Sequence, residues 1–319
     1  MFPTVRMPEP NSILAIRLGA LGDIIHALPA IGSLKQSFPS SKLALLIAPR
    51  WLPIVAGNPY IDELIPPRLA AIRRLHPDLA FDFQGLLKSA FLGRLARPKA
   101  FFGFHKSVAR ERYAAALYSH RIPVAGPHRI ERNLQLIAAA GASQLSDEAW
   151  LPPGRSEAEL PSHAFVLASP FAGWAGKEWP IENYDFLARL LSTEALELVL
   201  NVPEHRRPEL KTLQHVRMHT SSLAGLIDAT RHAAAIVGVD SGPLHLAAAL
   251  RKPGVALFGP TDPRLTGPYG GTIKVIRSDD VETTYKRHAN VHASMRVITP
   301  QQVAQTLLHS LTNTPVRRS

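Results

Sequence analysis

The sequence predicts an α/β protein made of two doubly wound parallel-sheet domains that face each other across a cleft. Short apolar runs alternate with amphipathic stretches, as parallel βαβ units require. The alternation breaks once, in SQLSDEAWLPPGRSEAELPSHA at 143–164, and then restarts. The chain has 319 residues, more than the roughly 250–300 at which a single core stops growing.

In chain order, ILAI (13–16) is the first strand and runs into RLGALGD, where Gly19 and Gly22 permit a tight turn. A helix follows over DIIHALPAIGSLKQSF (23–38), then a strand at LALLIA (43–48). LAFDFQG (79–85) is a strand that leads into a helix over LLKSAFLGRLA (86–96). The Pro-, Ser- and acid-rich break places the domain boundary at 155/156, giving domains 1–155 and 156–319. Beyond it FVLAS (165–169), ELVLNV (197–202), AAIVGV (234–239) and GVALFG (254–259) are strands, and Trp179-Pro180 opens the helix IENYDFLARLL. TPQQVAQTLLHSL (299–311) is a final helix with Thr299 as N-cap and Pro300 at N1, free to pack back on the first domain. Sheets of this kind bind ligands at the carboxyl ends of their strands.

The net charge of +11 is uneven. Residues 1–150 hold 18 Lys/Arg against 10 Asp/Glu, and the rest hold 18 against 15. Nine bases and only Glu111 and Glu131 as acids lie between Arg94 and Arg132. The partner of the first half is therefore expected to be anionic, whether nucleic acid, a lipid headgroup or a phosphorylated substrate, unless the basic face is merely solvated. Nucleic acid is disfavoured, because no recognised motif or basic strand interleaved with aromatics supports it. With no cysteine there is no disulfide framework and no thiolate metal site. Pro8, Glu9 and Pro10 interrupt any signal-peptide core, and no run approaches a membrane span, so a cytoplasmic chain is expected.

Three loops carry candidate chemistry. In the first, Asp23 stands in the opening turn of a helix; on the residues alone it is a cap, a carboxylate able to take a proton from a hydroxyl, or both. In FVLASPFAGWAGKEWP (165–180) the small residues Ala172, Gly173 and Gly176 admit a ligand to backbone amides, and Lys177 offers a point charge for phosphate unless it is merely solvated. In VGVDSGPLHLAAAL (237–250) Asp240 ends a strand, while the amides of Ser241 and Gly242 open a helix and form an anion site. Asp240 beside that site suits sugar hydroxyls better than phosphate. His245 could reach the same rim, though a histidine within LHLAAAL reads first as a core residue. FGPTDPRLTGPYG (258–270) delivers Gly259, Thr261 and Asp262 to the same edge.

LGALGDIIHALPA, DFQGLLKSA, ARERYAAALY, KEWP, VGVDSGPLHLAAAL and ALFGPTDPRLTGPYG, in that order along nearly the whole chain, resemble glycosyltransferase family 9, the lipopolysaccharide heptosyltransferases. The resemblance implies the GT-B fold, two Rossmann-like domains with the donor held by the C-terminal one, and inverting, metal-independent transfer with no cofactor. It implies that Asp23 deprotonates an acceptor hydroxyl, which attacks the anomeric carbon of ADP-L-glycero-D-manno-heptose. Lys177 and the Ser241 and Gly242 amides would steady the departing ADP, and Asp240 would hold heptose hydroxyls. Ala172, Gly173, Glu204, Ser221, His245 and Thr261 complete the donor-side set. Relatives carry phosphate-loop threonines where this chain reads SPFAGWAGK, so contacts there fall to the backbone. A ribose-binding glycine turn is replaced by NVPEHRRPEL.

The acceptor that the resemblance implies is Kdo-lipid A, whose phosphates and carboxylates suit a basic first domain. Gln84, Lys88, Arg110 and Arg112 are its candidate contacts, and peripheral association with the inner face of the cytoplasmic membrane follows. A family-9 transferase with another donor or acceptor, a sugar-nucleotide epimerase of the same architecture, and a non-catalytic binding protein are the competing readings.

Overall fold

The computed structural model describes residues 9–278, 281–287 and 289–312, which divide into two compact units between Pro152 and Pro153. Most of the N-terminal stretch read for a leader lies outside the described residues.

The first unit is a six-stranded sheet of β1 (Ser12–Ile16), β2 (Lys42–Leu46), β3 (Glu63–Ile65), β4 (Leu79–Asp82), β5 (Ala100–Phe104) and β6 (His120–Ile122). All pairings are parallel and the order is β3-β2-β1-β4-β5-β6. Every residue of β4 and β5 is buried, as expected of parallel strands covered on both faces. The single helix expected at 23–38 is two, α1 (Leu21–Ile25) and α2 (Leu28–Ser37). Pro29 lies in the first turn of α2, where its missing N–H costs nothing; inside one continuous helix it would remove a hydrogen bond. α3 (Leu69–Ile72) and α4 (Leu87–Leu95) pack side by side, and α4 also packs on a 3-10 turn at Arg112–Leu117. α5 (Arg129–Ala138) lies against α2.

The second unit repeats the plan with β7 (Phe165–Ser169), β8 (Glu197–Asn201), β9 (Arg217–His219), β10 (Ala235–Val239), β11 (Gly254–Phe258) and β12 (Ile273–Arg277), all parallel in the order β12-β11-β10-β7-β8-β9. Its helices are α6 (Glu182–Ser192), α7 (Leu223–His232), α8 (Gly242–Ala249), α9 (Pro263–Thr266), α10 (Ala293–Arg296) and α11 (Pro300–Thr312). Val303, Ala304 and Leu307 of α11 are buried in the second unit's own core with Trp179 and Tyr184, and α11 packs on α6 and on β10 to β12. The linker is also fastened to this unit. Arg155 N–H donates to the Ala224 carbonyl at 3.0 Å, and the Glu157 carboxylate accepts from Ser222 N–H and Oγ–H, both at 2.8 Å.

In each sheet the first and fourth strands are neighbours. β1 pairs with β4 and β7 with β10, so the chain leaves in opposite directions on either side of one strand gap. Loops leaving that gap diverge and open a crevice at the carboxyl edge.

Candidate active site

In the first unit the gap lies between the ends of β1 and β4. Arg17 follows β1 and is 3% exposed; one of its terminal nitrogens donates to the Phe83 carbonyl at 2.5 Å, and the other meets the Asp23 carboxylate at 2.6 Å. Asp23 also accepts from Arg129 and, at 3.4 Å, from Arg110. Burial pushes the Arg17 guanidinium down to about 10; Asp23 opposes this, and Arg129 and Arg110 add to it. Three cations so close favour the charged carboxylate. The position capping α1 is Ala20, with no side-chain cap, so Asp23 is held by arginines and is not the cap residue. Arg17, Asp23, His26, Gln84, Arg110 and Arg129 line one pocket.

Beneath the pocket lies a buried support. The Asp82 carboxylate accepts from Tyr118 Oη–H (2.8 Å), Ser89 Oγ–H (2.8 Å), Gln84 N–H (2.8 Å) and Gly85 N–H (3.3 Å). Burial pushes its pKa up against the pull of these donors. The network fixes the turn after β4, where Gly85 has a φ of +67°. It thereby places the Gln84 side chain, whose Oε1 accepts from Leu18 N–H at 2.9 Å.

Of the expected acceptor contacts, Gln84 and Arg110 line this pocket, whereas Lys88 and Arg112 do not belong to its lining. Lys88 is exposed on α4, and the Arg112 guanidinium lies 4.6 Å from the Tyr113 ring centre. Arg17 and Arg129 were not anticipated. Arg129 falls in the basic run, but nothing local says that it reaches an acid 106 positions away.

In the second unit the gap lies between β7 and β10. Lys177 Nζ–H donates to the Asp240 carbonyl at 2.7 Å and to its carboxylate at 3.1 Å, and Thr261 Oγ1–H donates to that carboxylate at 2.9 Å. His245 Nε2 lies 3.7 Å from the other carboxylate oxygen. Burial opposes the Asp240 charge, but His245, Lys177 and Thr261 together outweigh it and hold the carboxyl well below its usual range. His245 is therefore both a buried residue and a neighbour of the candidate site. Ser241 precedes α8 with Gly242 at its first position, and the Ser241 Oγ is buried without a hydrogen-bond partner among the described residues.

The Ala172 amide is not open to a ligand, because it donates to Glu178 Oε1 at 3.1 Å. Glu178 is itself gripped by Arg206, whose guanidinium lies over the Phe171 ring at 3.8 Å. At Gly173 an added Cβ would meet nothing, so that face of the loop is open. Glu204 is exposed and pairs with Arg207 at 3.6 Å, and Ser221 Oγ is 3.0 Å from His219 Nε2; neither touches the Lys177–Asp240 pair. Among the described residues, no cluster of three or more His, Asp or Glu could hold a metal ion, and no helix is long and apolar enough to cross a membrane.

With two doubly wound sheets, each with an acid at the carboxyl edge beside its strand gap, the chain is an enzyme of the glycosyltransferase class, as its relatives show. The chain belongs to glycosyltransferase family 9 (heptosyltransferase), whose family model matches residues 69–294. Lipopolysaccharide heptosyltransferase 1 of Pseudomonas aeruginosa is 30% identical over 301 residues, spanning 84% of each chain. Among solved structures, the ADP-heptose LPS heptosyltransferase II of E. coli aligns with a TM-score of 0.76 at 25% identity, over 94% of this chain and 98% of that one. An E. coli heptosyltransferase solved with ADP aligns at 0.75 and 25% identity, over 94% and 99%. The fold is GT-B.

Proposed function

We propose that this chain is an inverting, metal-independent heptosyltransferase that moves a heptose from ADP-L-glycero-D-manno-heptose to the Kdo region of the lipopolysaccharide inner core. The observation that carries the proposal is the Asp23 carboxylate, held at the end of β1 by Arg17, Arg110 and Arg129. Inversion needs one base and an in-line attack. Asp23 takes the acceptor proton, the acceptor oxygen bonds to the anomeric carbon, and the bond to ADP breaks with the pair leaving on phosphate. Arg110 and Arg129 lie where an acceptor carboxylate or phosphate would bind them bidentately. As that anion draws them away, Asp23 loses part of the positive field that weakens it as a base.

On the donor side, Lys177 and the amides opening α8 stabilise the charge that grows on the leaving diphosphate. Asp240, already charged and oriented, accepts from heptose hydroxyls. The donor assignment draws support from the relatives, since one aligned heptosyltransferase was solved with ADP and another structure with ADP-2-deoxy-2-fluoro heptose. The domains assigned are an acceptor-binding 1–155 and a donor-binding 156–319, in a cytoplasmic enzyme held peripherally at the inner membrane.

Asp23→Asn removes the base while keeping the shape, and turnover should fall by about a hundred- to ten-thousandfold. Thermal stabilisation by ADP-heptose should persist, and exceed that by GDP-, UDP- and dTDP-sugars. Transfer surviving in this variant would sink the base assignment. Product formed from donor alone, without acceptor, would point instead to an epimerase.

A further inference from the structure

α4 is amphipathic in an unusual sense. Its buried face carries Ser89, Ala90, Leu92 and Gly93, while its exposed face carries Leu87, Lys88, Phe91 and Arg94. Leu87, Phe91 and Arg94 follow the i, i+4, i+7 spacing of one helical stripe. Solvation of an outer face needs only polar residues, yet Phe91 is 56% exposed. The elements packed beside α4 continue the pattern. α3 presents exposed Leu69 between Arg68 and Arg73, and the 3-10 turn presents Tyr113, 62% exposed, beneath the Arg112 guanidinium. Neither α3 nor α4 carries an acid. The nearby acid Glu111 is occupied, its carboxylate accepting from Leu87 N–H at 2.6 Å.

We infer that the face formed by α3, α4 and the Arg112–Leu117 turn is the surface on which the enzyme rests on an anionic phospholipid leaflet. Its chemistry matches such a surface on both counts. Leu69, Leu87, Phe91 and Tyr113 enter the boundary between headgroups and acyl chains, and the surrounding bases pair with lipid phosphates. The chain passes directly from the lining of the proposed acceptor pocket into the patch. Gln84 lines the pocket three residues before Leu87, and Arg110 lines it three residues before Tyr113. A lipid-linked sugar could thus rise from the leaflet to Asp23 while its acyl chains stay in the bilayer. The inference deepens the proposed function, and its use of the pocket rests on that reading, although contact with lipid can be measured without any acceptor.

The test is co-sedimentation of the full chain with vesicles of phosphatidylethanolamine and phosphatidylglycerol, against vesicles of phosphatidylcholine alone. The parent should bind the anionic vesicles preferentially and release them as salt rises. Phe91→Ser with Tyr113→Ser, and separately Arg68→Gln with Arg94→Gln, should each weaken that binding by about tenfold. All four side chains are exposed, so both variants should keep the parent's thermal midpoint and its transfer to an acyl-free, water-soluble acceptor. The inference is overturned if the parent ignores anionic vesicles or binds both kinds alike, or if both variants bind as the parent does. It is overturned too if sedimentation shows a dimer that both variants dissolve, which gives the face to a second copy. Loss of all transfer by the parent with vesicle binding intact would remove the proposed function and leave the surface standing.

Discussion

Lys177 couples folding to chemistry at a single atom. Its ammonium is 14% exposed and neutralises Asp240, 9% exposed, so removing it strands a carboxylate in a poorly hydrated place. Breaking such a pair costs more than the pair's net worth, because the remaining charge has lost its partner. Lys177→Met should therefore lose about 3 kcal/mol in urea denaturation, the low end for a buried pair since Thr261 and His245 still face Asp240. The same variant should bind ADP more weakly in calorimetry. At this scale the sequence singled out Asp23, Lys177 and Asp240 as candidates because each interrupts an expected strand-to-helix turn, and each stands beside a strand gap. It did not reveal Arg17, which joins Asp23 to the Phe83 carbonyl, or Arg129, which meets Asp23 from 106 positions away. Nor did it show that Glu178 claims the Ala172 amide, a bond that exists only once the loop has folded back.

Among the elements, α4 contains a glycine that tests packing against propensity. Gly93 lies mid-helix, where alanine normally stabilises by about 0.5–1 kcal/mol. Here an added Cβ would run into the Phe101 ring and stand 2.6 Å from Ile16 Cδ1, both in the first unit's core. Gly93→Ala should therefore destabilise, by about 1–3 kcal/mol, as overpacked cores do, with thermal denaturation giving the sign. The central strands of the second sheet were legible because they are continuous apolar runs, FVLAS coinciding with β7 and AAIVGV and GVALFG containing β10 and β11, whereas the equally apolar β5 of the first sheet was not read. β3, β6 and β9 were not, since each has only three residues, lies at a sheet edge and carries charge or histidine, leaving no period to read. The break between α1 and α2 was missed because the apolar spacing runs on through it, and Pro29 outweighs that spacing.

For the molecule as a whole, the linker gives a pH signature. Hydrogen bonds from Arg155, and then from Ser222, hold the Glu157 carboxyl down at about 2. Its folded pKa lies below its unfolded value, so its contribution to stability is complete above the unfolded value and is lost as pH falls through the folded one. Between about pH 5 and pH 2 the melting temperature of the parent should decline more steeply than that of Glu157→Gln, in which no proton is taken up at this position. Parallel melting curves would show that the staple contributes nothing. The Pro- and Ser-rich break marks the region in which the chain divides, between Pro152 and Pro153, but the attachment of residues 155–157 to α7 was not readable, because it depends on where Ser222 lies in space.

The strand order shared by the two sheets bears on how such chains diversify. Each unit carries its own strand gap, and Arg17, Arg110 and Arg129 hold Asp23 from its own unit, as Lys177 and Thr261 hold Asp240. A crossover between homologous genes near codon 152 therefore passes on each acid together with these supports, whereas a crossover inside the first unit can separate partners such as Asp23 and Arg129 that must be inherited together. Recombination at this one seam can reassort the two halves of a family as whole modules.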